Sequence, residues 1–227
     1  MTDSPVPPPP SAPNLRIVWL EVAAVFAIGV VPYFMSSLTS LALPPSPVPW
    51  PYWLDSLNLT VLCGCSLLAT LFIIHRTGEG WSKFGIVPLN GWDAALALLL
   101  LLVLEGLWRI LESLAGTNDQ PLPGPNRPSE FAMMVVRYLF VGFAEELVCR
   151  AYLITRFQQL FGNSVGAILI ASFAFASYHI HYGLIGAFSV FLIGIVYGIA
   201  FVLTRRLWPV ALSHALYDIR IEMLSIG

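Results

Sequence analysis

The chain has 227 residues, of which 57% are hydrophobic and only 11% are Asp, Glu, Lys or Arg, and its mean hydropathy is +0.78. A water-soluble domain of this length carries about 25% charged residues, so an ordinary soluble fold is excluded. The formal net charge of −2 argues against nucleic acid or another polyanion as a partner, and the lipid bilayer is the expected surroundings.

Residues 1–16 form a polar, proline-rich tail. No basic run precedes the first apolar stretch apart from Arg16 at its edge, which favours an uncleaved membrane helix over a signal peptide. Apolar stretches then run over residues 17–38, 53–74, 92–114, 131–149, 165–178, 184–203 and 208–226, most of them close to the ~20 residues that span a hydrocarbon core. The fifth is short. The expected fold is therefore all-α, a polytopic transmembrane helical bundle of about seven spans, with six to eight allowed.

The connections carry further information. The run from Leu43 to Pro51 is a stiff, proline-rich loop without Lys or Arg. The segment from His75 to Lys83 is polar and basic, and the loop from Gly116 to Ser129 has Arg127 alone. If the helices alternate, Arg16, Arg76 with Lys83, Arg150 with Arg156, and Arg205 with Arg206 fall on one side, which puts the N-terminus in the cytoplasm and the C-terminus outside. The short loops, the tail and the lack of a targeting signal point to a prokaryotic plasma membrane. Cys63, Cys65 and Cys149 are too few for a disulfide framework and lack zinc-finger spacing, so they are expected to pack as small apolar residues.

Some charges need only a structural account. Glu105 and Arg109 stand i,i+4 and can pair across one helical turn. Glu112 lies near a span's end, and Glu21 has no evident partner but sits near the start of the first span. Glu145 and Glu146 are different, because they lie side by side within Phe143-Ala144-Glu145-Glu146-Leu147-Val148-Cys149-Arg150. A charge at membrane depth costs at least a few kcal/mol on insertion scales, about 2.5–3.5 for an Asp at the centre. Glu146 and Arg150 share a face and form the natural ion pair, leaving Glu145 without a local cation and suited to take and return a proton.

Two histidines follow on separate apolar stretches. His179 ends the fifth, and His181 beside it reads as interfacial. His214 lies well inside the last, with Asp218 at i+4 on the same face. Such groups can either hold a metal with an open position for water or deprotonate water directly while other donors stabilise an oxyanion. No His-Glu-X-X-His run is present, and residue chemistry leaves both devices open.

Glu145-Glu146-X-X-X-Arg150, then Phe175-X-X-X-His179, then His214-X-X-X-Asp218 resembles the three-motif signature of the CPBP family, the CAAX-protease and bacteriocin-processing membrane proteins, also called Abi proteins. Trp81-Ser82-Lys83-Phe84-Gly85-Ile86 resembles the segment often seen ahead of that family's core. The resemblance implies an intramembrane glutamic endopeptidase with no essential metal or other cofactor, acting on a membrane-associated peptide or protein. It divides the chain into the tail (1–16), N-terminal transmembrane helices and loops (17–130) and a catalytic core (131–227). It also implies that Glu145 is the general base on water, that His179 helps to hold that water, and that His214 and Asp218 support the oxyanion, with Glu146 and Arg150 in support. Many family members have Asn where this chain has Asp218. Asn donates to an oxyanion and ionised Asp cannot, so Asp218 is expected to orient His214 by accepting its N–H. A proteolytically silent immunity or scaffold protein and a proton- or metal-coupled transporter are the alternatives. With straight helices, His179 and His214 should also differ in depth by on the order of 10 Å, so a shared site needs a shifted fifth span or irregular backbone near Tyr182-Gly183.

Overall fold

The computed structural model describes residues 14–43, 50–115 and 124–225. Those residues are helical throughout apart from short connections. The helices are α1 (Leu15–Gly29), α2 (Val31–Ala42), α3 (Tyr52–Arg76), α4 (Gly91–Ala115), α5 (Pro128–Glu146), α6 (Thr155–Phe161), α7 (Ser164–Ser177), α8 (Gly183–Thr204) and α9 (Leu207–Ser225). The proline-rich tail falls outside the described residues except for its last three positions, and residues 44–49 of the first loop fall outside them as well.

Every stretch expected to span is helical over its described residues apart from turns at Val30 and Tyr178, but among those residues four helices are both long and apolar enough to cross a membrane: Leu15–Ala42, Tyr52–Arg76, Gly91–Leu111 and Ile180–Thr204. This is a multi-pass membrane protein with four such helices among the described residues, which leaves seven spans unconfirmed. The other three fall short for identifiable reasons. α7 has 14 residues, about 21 Å at 1.5 Å per residue, against a hydrocarbon core of about 30 Å. The fourth and seventh stretches carry the acids, arginines and histidine that distinguish them in the sequence.

The boundary expected at Cys149 is also corrected. The helix does not stop at Arg150; it runs on from α5 through a π-helical stretch, Leu147–Ile154, into α6. A charged residue ended the apolar run in the sequence, yet Arg150 is paired and buried, so the backbone has no reason to leave the helix. Arg150 therefore cannot be counted among loop charges. Glu21, without an evident partner in the sequence, is held by Arg156 at 2.9 Å.

The outside of the bundle is apolar and its inside is partly charged. Leu68, Phe72, Leu102, Phe173 and Leu203 point outward, whereas Asp93, Glu146, Arg150 and Arg156 are almost wholly buried. That arrangement suits lipid as the solvent. α5 packs between α3 and α9, α4 covers another side of α9, and α7 lies along α8. Close approaches set these contacts. A Cβ on Gly142 would come 2.8 Å from both Ala211 O and Ala215 N, so α5 and α9 meet nearly backbone to backbone.

The Trp81–Phe84 turn holds the α8–α9 joint. Gly85 has φ +71, its carbonyl accepts from Leu207 N at 2.9 Å, and an added Cβ would meet Phe201 at 2.6 Å. Phe84 is buried and stacks on Tyr152. Cys63 and Cys149 are buried, near the Tyr33 and Tyr178 hydroxyls respectively, while Cys65 is exposed; all three are free.

Candidate active site

Three helical elements supply the site. The end of α5 and the π-helical stretch carry Glu145, Glu146 and Arg150, the turn after α7 carries His179, and the middle of α9 carries His214 and Asp218. The Gly142 contact is what brings α5 to α9 closely enough for their polar side chains to meet.

Glu146 is the hub. Its Oε1 lies 2.9 Å from Arg150 Nη1 and 2.8 Å from His214 Nδ1, and it is fully buried. The first of these is the i,i+4 pair the spacing predicts. The second was missed, because nothing in sequence spacing links residues on separate helices. Arg150 also lies over the Phe175 ring at 4.1 Å and the Tyr197 ring at 5.5 Å, so its cation is held by aromatic faces as well. Tyr197 in turn donates to Ser213 and packs 5.8 Å from the His214 ring. Phe175 and Tyr197 are thus part of the site's wall; Phe175 stood in the second motif, whereas only an aromatic character within a helical apolar run could have signalled Tyr197.

His214 faces both ways. A carboxylate accepts, so Nδ1 donates to Glu146, while Nε2 lies 3.5 Å from Asp218 Oδ2 and 3.8 Å from Glu145 Oε2. Asp218, expected to orient this ring, lies beside Nε2, while the hydrogen bond is made on the other nitrogen by Glu146. Glu145 Oε2 is buried and has no hydrogen-bond partner among the described residues. Even with His214 charged, Arg150 and His214 face three carboxylates. A cluster one charge short of balance in a low-dielectric site has use for a further proton.

His179 is fixed from its other side. Its Nδ1 is 2.9 Å from the Phe175 carbonyl, which can only accept, so Nδ1 carries the proton and Nε2 keeps its lone pair. The His179 and His214 rings both pack against Phe175, at 4.9 and 5.8 Å between centroids, so the expected 10 Å separation in depth does not keep them apart. The reason is the shortness of α7. Its end, with the irregular link to Gly183 at φ +77, comes to the middle of α9. His181 is exposed and lies 2.8 Å from Ser37 Oγ, with its ring 6.1 Å from that of His179. No group of three His, Cys, Asp or Glu side chains among the described residues is arranged to hold a metal ion.

All six candidate residues lie between positions 127 and 220, the stretch that matches a family model, that of the type II CAAX prenyl endopeptidases, Rce1-like. This stretch is an Rce1-like domain. No curated protein and no solved structure matches the chain significantly. The Rce1-like domain takes in α5 to most of α9, while the Trp81 turn and the first four helices lie upstream of it.

Proposed function

We propose that the chain is a glutamic-type intramembrane endopeptidase, hydrolysing a peptide bond of a lipid-modified or membrane-tethered protein or peptide. In this reading residues 131–227 are the catalytic core within a seven-span, prokaryotic plasma-membrane protein whose N-terminus is cytoplasmic. The observation that carries it is a buried Glu145 oxygen without a hydrogen-bond partner among the described residues, 3.8 Å from His214. The His214 ring shares the Phe175 face with His179, a residue whose Nε2 keeps its lone pair because the Phe175 carbonyl holds Nδ1–H. Glu145 removes a proton from water as that water attacks the scissile carbonyl, and His179 Nε2 accepts the water's second hydrogen bond and aligns it. His214 supports the developing oxyanion through its Nε2–H, Asp218 acts only through that ring by balancing its charge from 3.5 Å, and Glu146 and Arg150 hold His214 in place. The proton on Glu145 then passes to the leaving amine. The Rce1-like match supports the reaction class.

The test compares new protein termini in the membrane and secreted fractions of cells carrying wild type, Glu145→Gln or His179→Ala. Loss of the same set of termini in both variants is expected and names the substrate. Unchanged termini alongside a loss-of-function phenotype would sink the hydrolytic reading in favour of a silent partner or a transporter.

A further inference from the structure

One end of the bundle holds a cavity that the hydrolytic site does not use. It is a broadly open cleft with space of about 480 Å³, lined by Ser82 and Lys83 of the turn before α4, Thr155, Gln158 and Gln159 of α6, and Arg205 at the end of α8. Its lining is unsatisfied. Thr155 is 4% exposed with no hydrogen-bond partner for its Oγ1 among the described residues, where the buried Gln159 Nε2 donor is also without one. Beside them Arg205 Nη2 donates to the neutral Gln158 Oε1 at 2.6 Å. Lys83 pairs with Glu79 at 2.6 Å, and Glu79 also binds Arg156 at 2.7 Å, which reaches Glu21 at 2.9 Å. Lys83, Arg156 and Arg205 thus stand against Glu79 and Glu21, a balance of one positive charge.

A hydroxyl, an amide N–H, a guanidinium and an ammonium converging on one space call for a ligand that is anionic and rich in acceptor oxygens. The depth is that of a lipid headgroup, since Trp19 and Trp81 are exposed at this same end, as interfacial tryptophans are. Basic pockets among transmembrane helices are suited to phosphate headgroups. We propose that this cavity binds a phosphate group, carried by an anionic phospholipid or taken up as free phosphate.

The experiment measures, by native mass spectrometry, the phosphatidic acid retained by the purified full chain in neutral detergent, with phosphatidylcholine as the comparison lipid. One phosphatidic acid per chain is expected, with Arg205→Gln and Thr155→Val each reducing retention at least tenfold. Glu79→Gln should raise retention by freeing Lys83, a gain that misfolding cannot imitate. Displacement of the lipid by millimolar inorganic phosphate would show that the site accepts either source. Failure to displace would show that it needs the lipid-borne group. Equal retention across wild type and all three variants, or retention of phosphatidylcholine as tightly as phosphatidic acid, would overturn the proposal.

Discussion

Glu146 is fully buried and holds both Arg150 and His214, so replacing it strands a guanidinium among aromatic rings. Breaking one side of a buried ion pair costs about 3–5 kcal/mol. Glu146→Gln should therefore lower the thermal midpoint in detergent by several degrees. Glu145→Gln should leave that midpoint nearly unchanged while cleavage falls by roughly 10²–10⁴-fold, the usual size of a general base's contribution. Equal melting loss in the two variants would contradict the division of labour between these neighbours. Asp218 gives a second residue-scale test. Since Glu146 makes the hydrogen bond to His214, Asp218→Asn should keep activity within a few-fold, and Asn also restores a neutral donor toward the oxyanion. A drop of several orders of magnitude would return the orienting role to Asp218. Both the Glu146–Arg150 and Glu105–Arg109 pairs were legible from helical spacing. The links from Glu146 to His214 and from Glu21 to Arg156 were not, because spacing rules act within one helix and these join separate ones.

At the scale of elements, the site depends on how closely α5 meets α9. A methyl on Gly142 would strike two backbone atoms, Ala211 O and Ala215 N, at 2.8 Å each, and backbone cannot swing aside as a side chain can. Gly142→Ala should cost about 1–3 kcal/mol of stability by overpacking. By moving Glu146 away from His214 it should also reduce cleavage at least tenfold. Gly106→Ala on α4, where an added Cβ meets nothing within 4 Å, is the matched control and should leave both unchanged. If the two substitutions behave alike, the close approach is not what sets the site. Hydrophobicity located the helices but not their ends or their lengths relative to the membrane. It closed the fourth stretch at Arg150, where buried pairing lets the helix continue, and it gave no sign of the π-helical turns that follow. Conversely, the depth mismatch between His179 and His214 called for either a shifted fifth span or an irregular link near Tyr182-Gly183, and the structure has a short α7 followed by such a link.

For the whole molecule, the arrangement of cations decides the proposed orientation, and the structure alters the count. Arg16, Arg76, Lys83, Arg156, Arg205 and Arg206 lie toward one end, tied partly through Glu79, Gln158 and Asp93. The opposite end holds more than Arg127. Glu105 gathers Arg109 and Arg220 there, and Arg137 pairs with Glu222. The positive-inside rule weighs Lys and Arg near the ends of spans whether or not acids neutralise them, so the asymmetry is smaller than the loops alone suggest. The remaining asymmetry is in the direction of the proposed cytoplasmic first end. Single cysteines at Ser82, Ser164 and Asn126, all exposed and in or beside the connections, turn this into a measurement. With seven crossings, a membrane-impermeant maleimide applied to intact cells should label the cysteine at position 126 and spare those at 82 and 164. Opening the cells should make the latter two reactive. The native thiols set the background, since Cys63 and Cys149 are buried and Cys65 lies mid-helix on α3. The reverse pattern would invert the protein in the membrane. Labelling of 82 and 164 from opposite sides would mean that the helix from Pro128 to Phe161 and its neighbours do not make the two crossings that the seven-span reading places between those positions.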